Sequence, residues 1–262
     1  MGSATTQALA ATTSALTAAP GVDLGVAREL FAAVRTLAGS SQLSGALSDA
    51  SVPAEARRAL VSRVFGGYSA ATVSVLDAAV AERWSSSADL ISGIEEAGVR
   101  AAAMAEPQVD VEAELFSVAR TIAANPELEL ALGSRLGDAS AKGALIESLL
   151  NGRAAASTVA IVSSLVQVPR ERRVRSMLSR ALRVVADQRG RAVATVFAAA
   201  ELTDEQTSRL QRTLAARYGT EVSLNVVLDR TVVGGVRIEI GDDVIDATVS
   251  SRLGDLRQRL AG

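Results

Sequence analysis

VARELFAAVRTLAGSSQLSGAL, residues Val26 to Leu47, is written again 85 residues later as VEAELFSVARTIAANPELELAL, Val111 to Leu132. Glu29, Leu30, Phe31, Arg35, Thr36, Leu43 and Leu47 recur identically as Glu114, Leu115, Phe116, Arg120, Thr121, Leu128 and Leu132. Identities held in one register mark an internal duplication rather than the common resemblance of alanine-rich helices. The match continues at 85 through Leu60, Val61, Val64 and Phe65 against Leu145, Ile146, Leu149 and Leu150. It drifts to 86 where Thr72 and Leu76 meet Thr158 and Val162, and to 87 where Arg83 meets Arg170. Loops absorb single-residue additions that a packed helix does not, so the drift places loops at those two points.

Both copies have helical apolar spacing. Val174, Met177, Leu178, Ala181, Leu182 and Val185 follow i, i+3, i+4, i+7, i+8 and i+11, one stripe of a helix. Gly66-Gly67 and Asn151-Gly152 interrupt the pattern at equivalent places, and Pro53, Pro126 and Pro169 sit where a first turn or a loop tolerates them. The spacing predicts helices near 4–18, 23–38, 42–48, 53–65, 69–83 and 87–104, then near 109–124, 127–132, 139–150, 155–167 and 170–189.

The period changes after Asp187. Arg191 to Phe197 alternates as a strand does, and Thr203 with Gln206 three residues on opens a helix that runs to about Tyr218 and stops at Gly219. Val222–Leu228 and Val233–Ile240 read as two more strands, and the turn at Gly241-Asp242-Asp243 leads to Val244-Ile245-Asp246. A helix from about Ala247 to Leu260 then presents Val249, Leu253, Leu256 and Leu260 on one side. The expected fold is mainly α: a duplicated helical bundle, 1–105 and 106–190, followed by a small α+β module of β-α-β-β-α order at 191–262.

Leu228-Asp229, Gly234-Gly235-Val236, Ile240-Gly241-Asp242, Val244-Ile245-Asp246, Ser250 and Arg252-Leu253 come in the order that closes members of one known family. On these residues the chain resembles the ATP synthase delta subunit family, whose mitochondrial members are the oligomycin-sensitivity-conferring proteins. The resemblance is strong over 190–262, moderate over 106–190, and reaches 1–105 through the repeat. It implies a helical bundle at 106–190 and an additional copy before it, as in long actinobacterial members. The family's first bundle helix usually reads Tyr-Ala-x-Ala-Leu, and Val99 to Ala103 matches that poorly. Gly234, Gly235, Gly241, Asp246, Arg252, Leu253 and Leu256 carry the family pattern and are expected to shape the C-terminal module or to touch b subunits.

The resemblance implies a non-catalytic stator of a bacterial proton-translocating ATP synthase, peripheral on the cytoplasmic face of the plasma membrane. Its bundle would grip N-terminal helices of alpha subunits and its C-terminal module would hold b subunits, with no cofactor. A helical-repeat scaffold unrelated to ATP synthase is the alternative, and the C-terminal pattern is what separates the two.

Composition agrees with a protein that binds rather than reacts. With no Cys and no His, disulfides, thiolate zinc sites and imidazole bases are excluded. No run approaches the roughly 18 apolar residues of a membrane span, and Met1 to Ala19 carries no charge and reads as a small-residue helix, not a leader. Asp242, Asp243 and Asp246 lack further oxygen ligands and read as turn residues, so no metal is expected. The Gly234-Gly235 pair lacks the Lys-Ser or Lys-Thr of a phosphate loop and reads as a bulge or a close backbone approach.

The run Pro169 to Arg191 is basic. Its Arg170, Arg172, Arg173, Arg175, Arg180 and Arg183 lie off the apolar stripe and are expected on a solvated face, with an acidic partner segment as the competing use. Nucleic acid is not expected there, because no aromatic side chains interleave the arginines.

Overall fold

The computed structural model describes residues 2–134, 137–170, 172–241 and 243–253. The chain divides into two compact units, Met1–Val185 and Ala186–Gly262. In the first, α1 (Ser3–Ala18), α2 (Leu24–Gly39), α3 (Ser41–Ser48), α4 (Ala54–Phe65), α5 (Ala70–Ala81) and α6 (Ser87–Ala105) form one repeat. Its second repeat is α7 (Val111–Ala123), α8 (Pro126–Gly133), α9 (Ala139–Leu150), α10 (Ala156–Gln167) and α11 (Val174–Gln188).

Most helices start on a side-chain cap that satisfies an otherwise unpaired backbone N–H. Asp23, Ser40, Ser69, Ser86, Asp110 and Asp138 accept from the first turns of α2, α3, α5, α6, α7 and α9. The repeated Glu29 and Glu114 have the same task in both copies. Glu29 accepts from Ser69 N at 3.0 Å and from the hydroxyls of Ser69 and Thr72 at 2.7 and 2.6 Å, tying α2 to the start of α5. Glu114 accepts from Ala155 N and the Thr158 hydroxyl, tying α7 to the start of α10.

Burial raises the Glu29 carboxyl, but the hydrogen bonds from Thr72 and Ser69 outweigh it and hold it below the usual glutamate range. A depressed folded value means that its contribution is present above the ordinary glutamate pKa and is lost as pH falls through the lower one. Glu29→Ala is expected to cost about 1–2 kcal/mol near neutral pH, seen as a lower urea midpoint with an unchanged slope. An unchanged midpoint would show that water replaces the bridge without loss.

One buried apolar cluster runs from Ala8 to Val185. At its centre is α6, which packs on α1, α2, α3 and α5 of its own repeat and on α10 of the next. Leu90, Ile94, Val99 and Ala101 to Ala103 are all buried, so this helix is covered on every side. Gly93 and Gly98 permit the approach: a Cβ there would lie 2.2 Å from Trp84 and 2.9 Å from Phe31. The division expected near residue 105 therefore falls at the end of α6, inside the first compact unit.

Two features of the basic run differ from the sequence-based expectation. The helix starts at Val174, not near 170, because Arg170 takes a left-handed turn with φ 46°. The arginines also do not all face solvent. Glu95 of α6, 4% exposed, is held by Arg170 at 3.2 Å and Arg172 at 2.6 Å, and Arg180 reaches Glu96 at 3.2 Å. Arg175 pairs with Glu129. A buried carboxylate is tolerable only when so paired; the acidic segment that these arginines meet lies in this same chain.

In the second unit, β1 (Arg191–Ala198), α12 (Asp204–Tyr218), β2 (Glu221–Leu228), β3 (Val236–Ile240) and β4 (Asp243–Asp246) build a sheet of order β2-β1-β3-β4. The β1–β2 pair is parallel, with α12 as its crossover, and the other two pairs are antiparallel. Thr203 and Gln206 close a capping box, and Gly219 ends α12 at φ 69°. Val244 to Asp246 is thus a fourth strand, hairpinned to β3 through Gly241. Ala194, Val196, Leu214, Val222, Ile238 and Ile240 form the core.

Candidate partner-binding surfaces

Gly234 and Gly235 both have positive φ, 82° and 76°. A Cβ on Gly235 would lie 2.3 Å from the Ala247 carbonyl oxygen and 2.9 Å from the Thr248 Cα. The two strands of chain are locked there by Ala247 N to Val236 O at 2.9 Å and Val249 N to Gly234 O at 3.1 Å. Asp246 accepts from Thr248 N at 2.9 Å, and the Thr248 hydroxyl accepts from Ser251 N, which caps a helix at 249–253. The Thr248 N–H first, and the Thr248 hydroxyl with it, hold the Asp246 carboxyl below the usual aspartate range. Gly241 makes the β3–β4 turn at φ 56°.

The structure thus brings Gly234, Gly235 and Asp246 together as the frame that launches the last described helix. Arg252 and Leu253 lie on it, exposed, while Leu256 and Asp242 fall outside the described residues. Asp243 accepts from the Tyr218 hydroxyl at 3.1 Å, and no group of acids able to hold a metal exists among the described residues. Around this frame the module leaves large apolar side chains open: Val233, Val244, Val249 and Leu253. A small unit with an outward apolar display of this kind is suited to a partner's side chains, not to chemistry.

The helical unit offers a different surface. Between α7 and α9 runs an apolar groove of about 460 Å³, floored by Val118, Ile122 and Ile146 and walled by Leu149, with Arg153 at its mouth. Leu145 and Leu149, one turn apart on α9, are each 41% exposed. Sequence reasoning did not find this groove, since its apolar residues have the same spacing as those of the core. Among the described residues, no helix is long and apolar enough to cross a membrane.

The profile of the ATP synthase delta (OSCP) subunit matches residues 96–260. The chain belongs to that family. ATP synthase delta subunits from several bacteria align with most or all of its length. The one from Leifsonia xyli subsp. xyli is 48% identical over 264 residues, covering all of both chains. The one from Streptomyces avermitilis is 38% identical, over 94% of this chain and 93% of its own, and that from Nocardia farcinica is 39% identical over 95% and 94%. A chain of the Toxoplasma gondii mitochondrial ATP synthase hexamer aligns over 64% of this chain with a TM-score of 0.40 and 20% identity.

Membership makes this a non-catalytic accessory subunit of an ATP synthase, a part of its peripheral stalk. The unrelated scaffold is left without support. The family match starts at Glu96, midway along α6, so residues 1–95 lie before it although the full-length relatives share them.

Proposed function

We propose that the helical unit grips N-terminal helices of the alpha subunits, while the C-terminal module holds the ends of the b subunits on the cytoplasmic face of the membrane. The stator so formed resists the torque that the rotor exerts on the catalytic head. What supports this division is the pairing of family membership with two dissimilar apolar surfaces, one on each compact unit. Helix-in-groove association needs such surfaces and no reactive group, in keeping with a chain that has neither Cys nor His.

Truncation after Asp187 removes the sheet module and keeps the core cluster of the helical unit. The fragment is expected to bind alpha-subunit N-terminal peptides with the affinity of the whole chain and to lose b-subunit binding altogether, as read by titration calorimetry. Full b affinity in the fragment would reject the division of labour.

A further inference from the structure

We propose that the cleft between the two helical repeats, walled by α2 on one side and by α9 and α10 on the other, binds a small phosphate ester that carries free hydroxyl groups, the class of nucleotides and sugar phosphates.

A guanidinium withdrawn from water needs an anion or a carbonyl beside it. In the helical unit Arg57, Arg100, Arg170, Arg172 and Arg180 are buried or half-buried, and each has one. Arg57 donates to Ala81 O and Glu82 O, Arg100 and Arg180 to Glu96, and Arg170 and Arg172 to Glu95. Arg35 is half-buried as well, yet its side chain makes no hydrogen bond or ion pair among the described residues. The duplication shows what withdraws it. Arg120, its equivalent on α7, stands exposed, whereas Arg35 lines the cleft where α10 packs on α2.

That cleft has a volume of about 890 Å³, within the roughly 300–1,000 Å³ of small-molecule sites. Arg28 joins Arg35 on the α2 wall, seven residues earlier and so two turns away on the same face, about 10 Å along the axis. Its guanidinium is likewise unpaired among the described residues. Glu147 of α9 is the one acid in the lining, so two guanidiniums stand against one carboxylate and the cleft favours an anion. Phosphate oxygens match the guanidinium fork.

Glu147 sets the second requirement. The Gln167 side-chain amide donates to the Ser163 hydroxyl at 3.1 Å, and that hydroxyl donates to Glu147 Oε1 at 3.2 Å. This relay runs through a buried Ser163 and leaves Glu147 Oε2 to accept from a ligand. Pyrophosphate brings chiefly acceptors and is repelled there. An ester with hydroxyls supplies donors to the carboxylate while its phosphate meets the arginines. Asn151 and Ser164 add further polar groups to the same lining. Bound there, the ligand ties α2 of the first repeat to α9 and α10 of the second and stabilises the helical unit by mass action.

The test uses the full chain at physiological ionic strength, with ADP, ribose 5-phosphate and pyrophosphate as probes, read by titration calorimetry and by the thermal midpoint. At least one of the two esters is expected to bind about tenfold or more tightly than pyrophosphate and to raise the midpoint; which of them binds tighter tells nucleotide from sugar phosphate. Arg35→Gln is expected to weaken that ester about tenfold or more. Arg28→Gln, at an exposed position, is expected to weaken it in the same direction and serves if the first variant misfolds. Arg120→Gln, the equivalent change in the second repeat, is expected to leave the affinity unchanged, and Glu147→Gln to remove the preference for the ester over pyrophosphate. Failure of both esters to bind the parent chain at millimolar concentration overturns the proposal, as does unchanged affinity in both Arg28→Gln and Arg35→Gln. Pyrophosphate binding the parent as tightly as the esters overturns the part given to Glu147, and an equal loss in Arg120→Gln shows attraction by surface charge in place of a site.

Discussion

Leu90→Asp is expected to unfold the entire helical unit in one transition, not the first repeat alone. Leu90 is 0% exposed on α6, and α6 packs against helices of both repeats. The change forfeits about 1.5–3 kcal/mol of apolar burial and adds a carboxylate without a partner, a cost of several kcal/mol more. The sum approaches the roughly 5–15 kcal/mol that holds a typical domain together. Leu178→Asp, on α11 and 1% exposed, is expected to act alike. Limited proteolysis followed by mass spectrometry reads the outcome. Cleavage spreading across residues 2–185 in both variants is the expected result. A protected fragment covering 106–185 after Leu90→Asp would show instead that each repeat keeps a separate core.

The second large effect belongs to the sheet module. Gly235→Val is expected to cost about 2–5 kcal/mol in that module alone, from a left-handed backbone that a β-branched residue resists and from overpacking. Its Cβ has nowhere to go: the Ala247 carbonyl oxygen stands 2.3 Å away, and backbone does not rotate aside as a side chain can. The chain from Ala247 onward must shift, and with it the exposed Val249 and Leu253. Loss of b-subunit binding with unchanged helical content and unchanged alpha-peptide binding is the expected pattern. Retained b affinity would mean that the segment after β4 is not part of that contact. Gly241→Ala is the control, since its Cβ position opens onto empty space and only the φ of 56° opposes it.

Helix positions were legible because their causes are local. Apolar spacing and the interruptions at Gly66-Gly67 and Asn151-Gly152 mark them, and α4 and α9 follow the predicted bounds to within a residue. The start of α11 was not legible, because what holds Arg170 in its turn is Glu95, 75 residues earlier in the chain. The same distance hid the fate of the arginines: spacing shows which side of a helix they occupy but not that two glutamates from α6 wait there. The role of Gly235 as a point of close approach could be read from the glycine pair, whereas the chain segment it approaches could not. The groove beside α9 was missed for the opposite reason. Leu145 and Leu149 keep the helical period of buried residues, and only the absence of a covering neighbour distinguishes them.

The position of α6 bears on how the subunit carries load. Two bundles joined by a linker would act as springs in series, the softer joint stretching first and storing strain between strokes of the rotor. Here the connecting element is itself a core helix, clasped at Glu95 and Glu96 by arginines from the far repeat. A pull on one repeat reaches the other through packed side chains and ion pairs, so the compliance of an intervening hinge is missing from the path.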